Sequence, residues 1–476
     1  MKKLIVIMIG LCLGTFLAFI DLTIVATALP EIGTQLNAFD EITWVASSYM
    51  LTATALQPLY GKFSDIFGRV PVILFALVVF MVGCAICGAA QNIMTLIIAR
   101  GLAGIGGAGL ISLSMIIVSD IVPLNKRALF LGIFGGIFAI ASIAGPLLGG
   151  AFTDYVSWRW VFYINLPIGA VTLLVVIFFL RIPHPKGSML AKLRKIDYLG
   201  TFLLVAGIVF ILLAILWGGK DYPWDDKRII AFFCVGFILI IFFVLAEIYV
   251  VPEPIIPMTL FRSRNVCISY VNTLLLGIAV LGVIFYLPIY FSVVRGDSAT
   301  QAGIKLLPFM LGMVAGIAVS GVYINKTGRC REMVWVGSVI ATVGAGLMTT
   351  LSVDLSIGHI IGYLLILGIG LGFSFQTMLM IGQSAAEESE VAVVTACYNF
   401  FNVIRGYPRA TLAASPSAIN TMDVTDDARH QFMEAYVKAI STSFIPLIPM
   451  MGVTFLLSLG YKHVPLRKDL TGGAHG

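Results

Sequence analysis

Two charged residues stand inside long apolar runs, Asp21 in the first and Arg100 in the fourth. A carboxylate or guanidinium placed there costs a few kcal/mol, so each needs a partner or a task. Asp21 can accept and release a proton, which fits gating or proton coupling; facing an outer vestibule is the structural alternative. Arg100 has to find a carboxylate, backbone carbonyls or water, unless it reaches out to the nearby interface. A third feature is Gly61-Lys62-Phe63-Ser64-Asp65-Ile66-Phe67-Gly68-Arg69, a charged, glycine-rich turn between two apolar runs. Asp65 can cap the next helix and pair with a basic group on a neighbour, holding two helices together. Ser47, Tyr49, Thr52, Thr54 and Gln57 form a polar stripe, and Asn272, Tyr286, Tyr290, Gln376, Asn399 and Asn402 are comparable residues later in the chain. Such side chains can line a substrate cavity or serve plain helix packing.

The elements that must position these residues follow from composition. Hydrophobic residues are 59% of 476 and charged residues 11%, with a mean hydropathy of +1.01. A soluble interior cannot hide that much apolar surface. Runs of about twenty apolar residues recur from end to end, and lipid allows only helices to satisfy every backbone group in such a run. The expected class is an all-α polytopic membrane protein. We expect fourteen spans from 4–29 to 436–460, with the second at 42–60, the eleventh at 333–352 and the thirteenth at 391–415. Lys and Arg concentrate in the connections that this count places with the N-terminus, including Lys62, Arg69, Lys126, Arg127, Lys186 to Lys195 and Lys326 to Arg331. By the positive-inside rule, both termini are then cytoplasmic, and the sequon Asn325-Lys326-Thr327 faces the cytoplasm. The first run is too long for a typical signal peptide and carries Asp21, so it reads as a retained span.

Several function classes lose support. The net charge of +6 reflects topology rather than nucleic-acid binding. The seven cysteines lie mostly in apolar runs, and Cys84-x-x-Cys87 reads as small residues on a packing face rather than a redox or metal motif. The five histidines, His184, His359, His430, His463 and His475, are scattered over loops and tails. No enzyme site, nucleotide-binding loop, cofactor or metal is expected.

Residues 398–419 break the pattern. Arg405, Pro408 and Arg409 arrive where the middle of the thirteenth span should be. One mid-bilayer arginine costs about 2.5–3.5 kcal/mol, and a proline removes a helix hydrogen bond. The segment is either a broken helix lining a cavity, with Arg405 a candidate anion site, or a gene-model or frameshift artefact.

The Gly61–Arg69 turn resembles the signature loop between the second and third spans of the major facilitator superfamily. It departs from the usual pattern at Phe63, Ile66 and Val70 and keeps Gly61, Asp65, Gly68 and Arg69. Asp21-Leu22-Thr23-Ile24-Val25-Ala26-Thr27-Ala28-Leu29-Pro30 resembles the first-span motif of fourteen-span drug:proton antiporters. Arg100-Gly101-Leu102-Ala103-Gly104-Ile105-Gly106-Gly107-Ala108 is similar to the fourth-span motif. Gly136 through Gly145-Pro146-Leu147-Leu148-Gly149-Gly150 resembles the fifth-span antiporter motif, which goes with exporters. Trp158 to Pro167 looks like the same group, and Thr52 to Gly61 looks like its fungal members, which include multidrug exporters and vacuolar basic amino acid exporters. Gly321 to Arg329 repeats the opening loop weakly after the tenth span.

The resemblance implies two six-helix pseudo-repeat halves, 1–181 and 258–476, joined by a linker and two extra transmembrane helices over 182–257. It implies a proton-coupled antiporter moving small cationic or amphipathic molecules from the cytosol to the outside or into an acidic vacuole. Asp21 and Arg100 would govern proton coupling or gating, and Gly61, Asp65, Gly68 and Arg69 would form a cytoplasmic latch. Gly136, Gly145, Pro146, Gly149 and Gly150 would form the antiporter motif. Tyr49, Gln57, Asn272, Tyr286, Gln376 and Asn399 are the substrate-cavity candidates. The expected partners are substrate, protons and lipid, with a monomeric chain in the plasma or vacuolar membrane. The alternatives are a vacuolar basic amino acid transporter, a proton-coupled importer such as a siderophore carrier, and a non-transporting nutrient sensor. The exporter motif argues against the importer, and the short stretch after the last span against the sensor.

Overall fold

The computed structural model describes residues 2–38, 41–183, 185, 187–219, 221–297, 299–403 and 426–462. The helices in chain order are α1 (Lys2–Leu36), α2 (Ile42–Phe67), α3 (Arg69–Ala89), α4 (Ile93–Ile121), α5 (Leu124–Tyr155), α6 (Trp160–Tyr163), α7 (Asn165–Phe179), α8 (Met189–Leu193) and α9 (Tyr198–Trp217). They continue as α10 (Lys227–Tyr249), α11 (Arg264–Val294), α12 (Ala299–Lys305), α13 (Leu307–Thr327), α14 (Arg331–Met348), α15 (Ile357–Ser384), α16 (Val391–Val403), α17 (Asp426–Phe444) and α18 (Leu447–Leu459). Among the described residues there is no strand, only an isolated bridge between Gly218 and Tyr222. The suspect segment at 405–420, with Arg405, Pro408 and Arg409, lies outside the described residues.

Eleven helices among the described residues are long and apolar enough to cross a membrane. Three of the fourteen expected spans are helical without joining that set. The second forms α2, whose buried face carries Ser48, Thr54, Gln57 and Ser64. The eleventh forms the 18-residue α14, which opens on Arg331 and Glu332. The thirteenth is described only as a shorter apolar helix, Val391–Asn402. The outer face of α10 exposes Ile230, Phe237, Ile238, Ile241, Phe242 and Leu245. In water that surface would be an aggregation liability; against acyl chains it is the expected solvent-facing composition.

The chain forms two contact units. The first comprises Met1–Asp120, Leu147–Ser263 and Ala386–Arg409, and the second Ile121–Pro146, Arg264–Ala385 and Ala410–Gly476. Within the first, glycines let backbones approach, because lipid gives no hydrophobic drive and close packing must supply the attraction. A Cβ at Gly83 would stand 2.6 Å from the Ala103 nitrogen, which fixes α3 against α4. Gly207 and Gly236 do the same for the α9–α10 hairpin, each Cβ position lying 3.2 and 3.0 Å from the other's carbonyl oxygen. Within the second unit, α15 is clasped on two sides. Gly312 and Gly316 of α13 meet the backbone at Leu365 and Ile369, and Gly337 and Gly344 of α14 meet Gly370 and Leu367.

Candidate functional site

Asp21 and Arg100 meet. Arg100 Nη1 donates to Asp21 Oδ2 at 2.5 Å, and the two side chains are 1% and 0% exposed. Arg100 is therefore a buried ion-pair partner and not an interfacial side chain. Its Nε donates to the Val45 carbonyl at 2.9 Å, and its guanidinium lies 4.4 Å from the centre of the Tyr49 ring, with Phe162 at 5.8 Å. Asn165 Nδ2 donates to Asp21 Oδ1 at 3.3 Å and lies 3.6 Å from Cys84 Sγ. Six elements thus converge on one ion pair: α1 supplies Asp21, α2 Tyr49, α3 Cys84, α4 Arg100, α6 Phe162 and α7 Asn165.

The sequence builds this cluster through small residues. A Cβ at Gly107 would collide with the Tyr49 hydroxyl, and one at Gly104 with Tyr49 and Thr52. Thr52 Oγ1 donates to the Gly101 carbonyl at 2.7 Å, and Tyr60 donates to Ile105 at 2.6 Å, so α2 is zipped along α4. A charge pair so buried is costly unless each remaining valence is met, and here carbonyl, amide and ring face meet them. Protonating Asp21 would remove the charge that holds Arg100, leaving the guanidinium its carbonyl and its ring. That is the chemistry available: proton binding and ion-pair formation compete for one carboxylate.

The Gly61–Arg69 turn forms a second polar knot. Arg69 Nη1 donates to Asp65 Oδ1 at 2.5 Å and to Ser64 Oγ at 2.6 Å, while Nε donates to Asp120 Oδ2 at 2.8 Å. Arg69 thereby fastens the end of α2, the start of α3 and the end of α4. The expected capping role of Asp65 is corrected: Gly68 precedes α3 with no side-chain cap, and Asp65 is committed to Arg69. Gly68 sits at φ 97°, where an L side chain is strained. Gly61 brings α2 against α16, a Cβ there standing 3.0 Å from the Ala392 carbonyl oxygen. Lys62 pairs with Glu253 at 3.6 Å, and Lys195 pairs with the same carboxylate at 2.9 Å. The Lys195 hydrogen bond, with Lys62 nearby, holds the Glu253 carboxyl below its ordinary range. The later copy of the loop has the same logic: Gly328 is left-handed at φ 70°, and Arg329 pairs with Glu332 at 3.2 Å.

The remaining expected site residues are spread out. Gly145 is buried, and Pro146 lies inside α5. Gly149 packs on α1, its Cβ position 2.5 Å from the Ile24 carbonyl oxygen, whereas Gly136 and Gly150 have open space around them. Gln57 and Asn399 are buried in the first unit, with Gln57 Oε1 and Asn399 Nδ2 unpartnered among the described residues. In the second unit, Gln376 is buried with Nε2 unpartnered, and Asn272 Nδ2 donates to the Tyr461 hydroxyl at 3.3 Å. Tyr286 is 38% exposed and packs edge-on against Phe444. A cavity of about 370 Å³ in the first unit is apolar, lined by Leu59, Tyr60, Phe63, Phe75 and Ile105 among others, and takes in none of these candidates. Among the described residues, no group of three or more His, Cys, Asp or Glu is placed to hold a metal. Sequence reasoning missed the contributions of Asn165, Cys84, Asp120 and Glu253. Asn165 carried a usable signal, a lone amide within an apolar run.

The family model of the Major Facilitator Superfamily matches residues 11–406. The chain belongs to this superfamily. As a superfamily member it is a multi-pass secondary transporter and not an enzyme. It is 41% identical to "MFS-type efflux pump MFS1" of Arthroderma benhamiae over 410 residues, 85% of this chain and 76% of that protein. It is 39% identical to "Efflux pump aflT" of Aspergillus parasiticus, over 85% of this chain and 79% of that protein. A 38% match to "Efflux pump bfoC" of Aspergillus brasiliensis covers 98% of this chain and 88% of that protein. Among solved structures, the human organic anion transporter MFSD10 superimposes with a TM-score of 0.62 at 16% identity, covering 95% of this chain and 99% of its own. The proton:xylose symporter XylE gives 0.63 at 14% identity, covering 98% of each. At those identities the likeness carries the superfamily fold alone.

Proposed function

We propose that this chain is a proton-coupled antiporter that exports small amphipathic organic molecules from the cytosol, across fourteen spans with both termini cytoplasmic. The efflux names of its relatives support the direction. The two chain halves, 1–181 and 258–476, would rock about a midplane substrate site, with 182–257 as linker. The observation that carries the coupling is the Asp21–Arg100 pair, buried to 0% and 1% exposure with Asn165 on the free carboxylate oxygen. A proton arriving from the acidic side neutralises Asp21 and leaves Arg100 with its backbone carbonyl and ring partners alone. Deprotonation restores the pair. Substrate release and proton uptake then draw on the same carboxylate. The Arg69 knot serves as the latch at the cytoplasmic ends of α2, α3 and α4. Ser48, Thr54, Gln57 and Asn399 offer amides and hydroxyls with atoms unpartnered inside the protein, which suits a substrate recognised by hydrogen bonds as well as by apolar contact.

The test uses purified protein in sealed vesicles with an acidic lumen, measuring uptake of amphipathic dyes and of basic amino acids. Wild type should accumulate dye only while the gradient lasts. Asp21→Asn should insert normally and lose gradient-driven uptake; uptake equal to wild type would end the coupling role.

A further inference from the structure

A pair of carboxylates lies buried in the first unit, outside the cluster around Asp21. Asp197 precedes α9 and is 8% exposed; Glu247 lies near the end of α10 and is 5% exposed. Each uses one oxygen for structure. Asp197 Oδ1 accepts from the Gly200 backbone N–H at 2.7 Å, and Glu247 Oε1 accepts from Ile255 N–H at 3.1 Å. Each leaves its other oxygen, Asp197 Oδ2 and Glu247 Oε2, buried and without a partner. The two groups lie beside the same glycine: a Cβ at Gly200 would run into the unpartnered Asp197 Oδ2 and stand 3.1 Å from Glu247 Oε1, the oxygen that holds Ile255. Gly200 is the gap through which they approach.

The charged residues around this point are Lys195 on the same connection, Glu253 on the segment after α10, and Lys62 from α2. Both lysines are bound to Glu253, at 2.9 and 3.6 Å. Among the described residues, neither carboxylate of the buried pair has a cation within ion-pair distance. Two neighbouring buried carboxylates cannot both ionise cheaply, because each loses hydration and repels the other. A proton placed on one oxygen relieves both costs.

We propose that Glu247 binds a proton at this point, with the Asp197 carboxylate as the neighbouring charge that favours it. Proton occupancy of Glu247 controls how firmly the 251–257 segment grips the end of α2. The proton leaves Glu247 able to hold Ile255 at rest. Its loss puts two like charges beside the segment that carries Glu253, and so loosens the Lys62–Glu253–Lys195 tie. The inference stands apart from the export reading, since proton binding here requires neither substrate nor Asp21.

Infrared difference spectroscopy on purified protein without substrate, stepped through pH, reads protonated carboxyl groups directly. Wild type should show a carboxyl band that disappears as pH rises. Glu247→Gln should remove that band, and Asp21→Asn should retain it. Asp197→Asn should move its disappearance to lower pH, because a neighbouring negative charge is gone. Both amides keep the acceptors for Ile255 and Gly200, so folding is preserved by design and checked by size-exclusion profile. If Glu247→Gln fails that check, the Asp197→Asn shift decides alone. A titrating band untouched by either substitution, or no such band in wild type, overturns the proposal.

Discussion

Arg100 shows how much one residue depends on another far away in sequence. It is 79 positions from Asp21, and its stability in the interior rests on that carboxylate, the Val45 carbonyl and the Tyr49 ring. Removing one partner of a buried pair leaves an uncompensated charge, at a cost of about 3–5 kcal/mol. Arg100→Ala should therefore lower the thermal midpoint in detergent markedly. Arg100→Lys should recover only part of it, since an ammonium cannot serve carbonyl, carboxylate and ring face in one plane. The double substitution Asp21→Asn with Arg100→Gln should restore stability without restoring coupling. A melting series paired with vesicle uptake separates these outcomes. Each charge was legible in the sequence as an expense within an apolar run. Their pairing was not, because periodicity along one helix carries no information on which helix lies opposite. The contact of Asn165 and Cys84 with the Asp21 carboxylate was hidden for the same reason, although Asn165 itself stood out as a lone amide.

At the scale of elements, helix ends and close approaches decide the behaviour. α2 extends to Phe67, beyond the apolar stretch ending near residue 60, because Lys62, Asp65 and Arg69 find ion-pair partners. Hydropathy marks where a helix leaves the apolar layer and not where its hydrogen bonding stops, so the Gly61–Arg69 loop is mostly helix. The Lys62–Glu253 tie has a definite pH sense. Glu253 is held below its ordinary range, so the tie is intact at neutral pH, persists below the usual glutamate range and is lost as pH falls through the lowered value. Hydrogen exchange of residues 251–257 should rise in wild type as pH falls through that lowered value. In Glu253→Gln it should be high at every pH, and a matching acid step in that variant would contradict the assignment. Close approach gives a sterically defined case as well. Gly107→Ala should destabilise through the Tyr49 hydroxyl, and adding Tyr49→Phe should recover part of the loss, the ring carbon at 2.8 Å remaining in the way. A thermal double-mutant cycle measures that coupling.

For the whole molecule, the informative boundary falls inside a helix. α5 runs from Leu124 to Tyr155, yet its residues up to Pro146 belong to one contact unit and those from Leu147 to the other. Superfamily resemblance made Pro146 legible as part of a motif, but only the contacts show that the chain changes unit there. Proline lacks the N–H that would bond the preceding turn and crowds its carbonyl, so this point of α5 bends more easily than its neighbours. Beside it, Gly149 has no room for a side chain against Ile24, while Gly150 is open. Anchoring and compliance therefore sit within one turn. Pro146→Ala should accordingly leave equilibrium dye binding near wild type while slowing gradient-driven uptake several-fold. Gly149→Val should instead impair folding, because it forces α5 off α1. Gly150→Ala should do neither. Binding by fluorescence polarisation and uptake by the same vesicles distinguish the three. Equal loss of binding and uptake in Pro146→Ala would mean that the proline supports the folded helix and not its motion.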